Sequence, residues 1–264
     1  MRSSDTFWRS RQVFLGIAFC AFLMGGWSLY QGANAAGLSQ TDRSEIEKFL
    51  GTGVVGKAVA EAPAVEGSTL FPEKGRTETF TFTGGDQKGK SQKETFEKIK
   101  KDEFGATGRL EQGEASIDYL TRDKDGNILV VAEQNTKKGI VSRFAPAEPA
   151  FIPGLSPGDS KSFKIDVKVY DLTDTKDVTH KGTLNVIYDY VGVYEVTVPA
   201  GSYQAALIKT TYQGEVGPAS VKDTQYRFLA HGVGVVAMIE KKDISAMLVY
   251  HDHSKYGKVL EKVE

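Results

Sequence analysis

Apolar and polar residues alternate along most of this chain with the period of two that belongs to half-buried strands. Phe80 and Phe82 alternate with Thr79, Thr81 and Thr83, and Ile117 and Tyr119 with Ser116 and Asp118. Phe163, Ile165, Val167 and Val169 alternate with Lys164, Asp166 and Lys168. Leu184, Val186, Tyr188, Tyr190, Tyr194, Val196 and Val198 hold one face across Gly192, which marks a bulge or bend. Residues 233–239 are apolar on both faces, as a central strand is, and Ile244, Ala246, Leu248 and Tyr250 finish the sheet. A helical period occurs in one place. Asp42 with Glu45 forms a capping box, Ile46, Phe49 and Leu50 make one stripe, and Gly51 stands where a helix ends, so a short helix is predicted over 42–50.

The breaks between these runs are those of hairpins. In YEVTVPAGSY, residues 194–203, Pro199 removes a backbone donor and Gly201 permits positive φ. The strand must turn there, and a second strand begins at Ala205. Asp123-Lys124-Asp125-Gly126-Asn127 reads as another tight turn. It resembles the start of a calcium loop, but Thr121 and Ala132 stand at positions one and twelve, where carboxylates are needed. Residues 92–101 are read as a strand returning antiparallel to 76–83, with a helix as the alternative. The six lysines from Lys88 to Lys101 are read as a solvated edge. Pro146, Pro149, Pro153 and Pro157 make 145–158 the longest irregular segment, a crossover. Gly75 and Gly158 are each followed at the same offsets by apolar pairs, Phe80 with Phe82 and Phe163 with Ile165. This echo suggests two related strand entries in one sheet.

These elements give an all-β fold, a curved antiparallel sheet (a half-barrel or open barrel) with one short N-terminal helix. The division expected is a signal peptide over 1–35, a helix and linker over 36–69, the half-barrel over 70–254 and a C-terminal tail over 255–264.

The start of the chain changes the picture of where it works. Arg2, Arg9 and Arg11 precede an uncharged apolar run over 13–27, and Ala33-Asn34-Ala35 supplies A-x-A spacing. Fifteen apolar residues suit a signal peptide, whereas a membrane span takes about 20. A periplasmic protein with a mature N-terminus at Ala36 is expected; secretion, or an uncleaved anchor extending to Tyr30, is the alternative. Cys20 is the only cysteine; Phe19 precedes it where a lipobox has Gly or Ala, so lipidation is not expected, and cleavage leaves no thiol for a disulfide or a metal. The remaining chain has a formal charge of about −3, which favours neither nucleic acid nor an anionic membrane surface.

VTVPAGSYQAALI, followed by Tyr226 and AHGVGVV over 230–236, resembles the paired VPAG(T/S)(F/Y) and APGVGxV motifs of bacterial envelope proteins of unknown function, TapB-like proteins among them. Phe71-Pro72-Glu73-Lys74-Gly75 is similar to their strand-entry motif, and Ser156-Pro157-Gly158-Asp159 looks like a second copy. The resemblance spans about residues 70–250 and departs at His231, where the group has proline. It implies a curved half-barrel distantly like the LolA and LolB lipoprotein carriers.

Candidate chemistry is sparse. His251 and His253 share a strand face and are the candidate metal ligands, with no third ligand nearby except His231 across a turn. No nucleophile elbow, HExxH motif or P-loop occurs. No cofactor is implied and the chain is not expected to be an enzyme. First in rank stands binding or carriage of an apolar, lipid-like ligand on an aromatic concave face made by Phe163, Tyr188, Tyr190, Tyr194 and Phe228. A structural or adaptor role in the envelope, with another envelope protein as partner, comes second. A metal-dependent enzyme using His251 and His253 comes third.

Overall fold

The structure is a computed structural model that describes residues 37–60, 64–246 and 250–264, with backbone alone for 246 and 250–252. The expected signal peptide, Cys20 and Leu248 lie outside the described residues. After helix α1 (Gln40–Leu50) come β1 (Val55–Val59) and a helical turn, α2 (Gly67–Leu70). Twelve strands follow: β2 (Arg76–Gly85), β3 (Ser91–Lys98), β4 (Gly108–Gln112), β5 (Ser116–Arg122), β6 (Ile128–Asn135) and β7 (Ile140–Phe151), then β8 (Ser160–Asp171), β9 (Asp174–Val198), β10 (Gly201–Val216), β11 (Ala219–Ala230), β12 (Gly234–Ala246) and β13 (Tyr250–Val263).

Each strand from β2 to β13 pairs antiparallel with the next in sequence, and β13 then pairs with β2. The result is an up-and-down barrel of twelve strands, closed, where an open half-barrel was expected. The seam is made by the segment expected to be a tail. Val259 stands opposite Thr81 and Leu260 opposite Phe80, and the Glu264 amide donates to the Thr77 carbonyl at 2.8 Å. Closure leaves no free edge along the ring, which is how such a sheet avoids edge-to-edge association. The short β1, in the segment expected to be linker, adds outside the ring to the upper half of β9; β8 pairs with the lower half.

Local chemistry accounts for the elements. The box that caps α1 is Ser39 with Asp42, one turn earlier than the sequence pattern suggested. Ser39 Oγ accepts from the Asp42 amide at 3.0 Å, and Gly51, at φ +101°, closes the helix onto Glu47. Residues 91–98 form the strand that was expected. At the β9–β10 turn Gly201 has φ +143°, and a Cβ there would stand 3.2 Å from the Tyr203 hydroxyl, so glycine is required. The β5–β6 turn is held by Asp123, whose Oδ1 accepts the amides of Asp125 and Asn127, each at 2.9 Å. The first half of the proline-rich crossover, 145–151, proves strand, and 152–158 remains irregular. β7 runs through Pro146, which falls outside both the β6 and the β8 ladders and so forfeits no ladder bond.

Both faces of the ring carry apolar side chains, and one cluster joins the lumenal Phe80 and Leu260 to residues of the outer face. On the outside, α1 lays Ile46, Phe49 and Leu50 against a cluster with Tyr194, Leu207, Tyr226, Phe228, Ile239 and Val259. Gly84 and Gly257, cross-strand partners, make the seat for its last turn; a Cβ on either would come within 2.6 Å of the Phe49 carbonyl oxygen. Asp42 fixes the first turn by accepting from Lys209 Nζ at 2.8 Å and the Tyr226 hydroxyl at 2.6 Å. Burial would raise the Asp42 carboxyl, but these donors and Ser39 hold it below the usual range. The outer face of β8 presents exposed Lys164, Asp166 and Lys168, unlike the apolar band of a transmembrane barrel.

Candidate functional site

The inside of the ring is identified by contacts between strands that are not neighbours. Tyr212 on β10 donates to Glu148 Oε1 on β7 at 2.5 Å, and Lys258 on β13 pairs with Glu94 on β3. Side chains on this face are layered. One end is apolar, with Phe71, Phe96, Leu120, Phe151, Tyr188 and Leu229. The other end is filled by Ile165, Val167, Leu184 and Val186. Between them runs a polar belt. Along β11 the inward row reads Leu229, Arg227, Gln225, Asp223 and Val221, so the belt is three residues deep between two apolar layers.

Every strand from β2 to β13 except β8 and β9 contributes a polar or titratable side chain to the belt or its margin. They are Glu78 with Arg76, Gln92 with Glu94, Gln112, Asp118, Glu133, Glu148, Thr210 with Tyr212, Asp223 with Arg227, Glu240 with Lys242, and Tyr256 with Lys258. Lys242 Nζ lies 3.0 Å from Glu240 Oε1, and Gln112 Nε2 donates to Asp118 Oδ2 at 2.6 Å. Gln225 Nε2 bridges Asp223 Oδ2 at 3.2 Å and Glu240 Oε1 at 3.4 Å, leaving Asp223 Oδ1 buried without a partner.

Burial dominates the electrostatics of the belt. It pushes Asp223 up to about 7, aided by the Glu240 carboxylate, and Glu78 up to about 7 despite Arg76. It raises Asp118 well above the carboxylate range, with Glu133 and Glu148 adding repulsion, and raises Glu148 although Tyr212 donates to it. Glu240 goes the other way. Burial opposes its charge, but Lys242 and Tyr256 outweigh burial and hold it low. Its carboxylate in turn raises Lys242.

The five aromatic residues expected on one concave face are divided between the two faces. Phe163, Tyr188 and Tyr190 belong to the lumenal cluster, while Tyr194 and Phe228 lie in the outer cluster beneath α1. Phe228 shares the outer row of β11 with Tyr226, and for Tyr194 the cause is a bulge. Tyr190 stands opposite Ile208 and Gly192 opposite Leu207, so Val191 is the extra residue and every later side chain of β9 changes face. Of the expected metal ligands, His253 Nδ1 lies 3.1 Å from Asp243 Oδ1, and the His251 side chain is outside the described residues. His231 Nδ1 is 2.7 Å from the Ala64 carbonyl. Among the described residues no group of three or more His, Cys, Asp or Glu converges to hold a metal.

No family model and no curated protein matches the sequence. Among solved structures the chain is similar to a candidate exported protein with a YmcC-like fold from Bacteroides fragilis, at 14% identity and a TM-score of 0.40 over 73% of this chain and 96% of that one. It is also similar to a candidate lipoprotein from Parabacteroides distasonis, at 13% identity and a TM-score of 0.36 over 72% of this chain and 95% of that one.

Proposed function

We propose that the chain is an exported, non-catalytic protein of the cell envelope that serves as a self-filled scaffold or adaptor, and not as a carrier of lipid. One observation carries this reading: the barrel interior is spanned by its own side chains, through the Tyr212–Glu148 and Lys258–Glu94 contacts, with Tyr188 fully buried beside them. An apolar guest would have to displace the polar belt as well as the aromatic layer, at the cost of unpairing buried charges. Export rests on the basic, apolar and A-x-A order of the first 35 residues and on the resemblance to envelope proteins. For an adaptor, β1 is the available edge. Among the described residues it pairs with β9 alone, and the backbone groups of its other edge are those to which an extended segment of a partner adds.

Native mass spectrometry of the protein purified from its own envelope tests the choice, beside displacement of a fluorescent fatty acid. The expected result is the mass of the bare polypeptide from Ala36 onward and no probe binding. A retained lipid, released on denaturation and competed by the fatty acid, would overturn the scaffold reading in favour of carriage.

A further inference from the structure

The lumenal belt holds more acid than base. Seven carboxylates face it or its margin (Glu78, Glu94, Asp118, Glu133, Glu148, Asp223 and Glu240) against four cations, Arg76, Arg227, Lys242 and Lys258. Three cations have defined carboxylate partners: Arg76 with Glu78 at 3.2 Å, Lys242 with Glu240, and Lys258 with Glu94. The fourth, Arg227, reaches Thr210 Oγ1 at 3.4 Å and acts on Glu148 from a distance. Asp118, Glu133, Glu148 and Asp223 are thus left with Arg227 and a share of Lys242, which stands opposite Asp223 but is paired with Glu240. Asp118 and Glu133 are direct cross-strand partners, and Asp223 Oδ1 has no donor at all.

A carboxylate buried among more acid than base resolves the conflict by binding a proton, as at Asp223, and half-buried Asp118 and Glu148 are driven the same way. We propose that the barrel takes up protons from solvent as it closes, and that this carboxylate belt ties the tightness of the fold to the acidity outside the cell. The elements packed around Asp223 supply Tyr212 from β10, Arg227 from its own strand, Glu240 and Lys242 from β12, and Glu148 from across the lumen. Those facing Asp118 are Glu94, Gln112, Glu133, Glu148 and Lys242. Lys242 stands opposite Asp223 but pairs with Glu240, whereas Asp118 has the acid Glu133 directly opposite.

The direction follows from linkage. A carboxyl ionising at about 4 in the unfolded chain but at about 7 in the barrel is protonated only when folded across that interval. The stabilisation is complete below the lower value and fades as pH rises through the upper one. Most carboxylates behave oppositely, because their native partners favour the charged form.

The experiment is the proton balance of unfolding. The mature wild-type chain, unfolded by guanidinium in weakly buffered solution at pH 6 with an indicator dye, is expected to release protons, and its Tm is expected to fall between pH 5.5 and 8. Asp223→Asn should release fewer protons and flatten the Tm profile, since its neutral amide has nothing to give up; all four histidines are unchanged, so the difference belongs to the belt. Net proton uptake by the wild type, or a Tm that rises over this interval, would overturn the proposal even if the variant does not fold. A folded Asp223→Asn and a folded Asp118→Asn that both keep the full wild-type release would overturn it as well. Neither result bears on lipid carriage, which the native mass measurement decides separately.

Discussion

Lys258→Met is expected to cost about 3–5 kcal/mol of folding stability, as removal of one member of a buried ion pair does. Lys258 is 1% exposed and reaches Glu94, with Gln92 Oε1 at 3.3 Å and the Phe80 ring centre at 4.9 Å. Methionine keeps the length and apolar stem of the side chain, so little packing is lost. What is lost is the cation, and Glu94 remains behind, itself 7% exposed. Adding Glu94→Gln should recover much of the loss, because a neutral amide leaves no buried charge to compensate. Urea unfolding of the single and double variants measures the coupling. A loss below about 1 kcal/mol for Lys258→Met, the level of an exposed pair, would mean that water reaches this seam.

Tyr188→Ala should be comparably damaging, at about 3–5 kcal/mol, the usual range for truncating a buried aromatic. Tyr188 is 0% exposed and packs in the apolar layer with Phe71, Ile208 and Leu229. The neighbouring Tyr190 is only partly buried, so Tyr190→Ala should cost less. Thermal melts of both variants, run beside the fatty-acid probe, separate a structural layer from a binding surface. In a filled barrel stability falls in the order of burial and no probe binds the wild type. If instead the melts barely move while probe uptake changes, these tyrosines line a site for a guest.

Much of the fold was legible because strand alternation is a local signal. The hairpin at Pro199–Gly201, the strand over 91–98 and the short helix before Gly51 each follow from a few adjacent residues. Closure was not legible, for a specific reason. Within 255–264 the inward row is Tyr256, Lys258 and Leu260, and a lysine in the middle of it reads as solvent-facing until Glu94, 164 residues earlier, is known to meet it. The polar belt was hidden in the same way. Along β11 both rows carry polar residues, since Lys222 and Thr224 alternate with Asp223 and Gln225, so periodicity alone names no inside. The displacement of Tyr194 from the other tyrosines of β9 turned on Val191. A bulge at Gly192 was foreseen, but one extra residue preserves the even numbering of Tyr190 and Tyr194 while sending their rings to opposite faces. The glycines gave a clue to the outer site: Gly84 and Gly257 have no apolar side chain to contribute, and their role appears only when α1 is seated on them.

All of this depends on a ring sealed between the first and last barrel strands, and amide hydrogen exchange along that seam tests it most directly. Within a closed barrel the paired amides of β13 (Tyr250–Val263) and of β2 (Arg76–Gly85) lie in the cooperative core and should exchange only through global unfolding, as slowly as those of β10 and β11. Rapid exchange over 255–264, with the amides of β2 on that side equally unprotected, would mean an open sheet with a frayed tail and would contradict the closed, self-filled barrel.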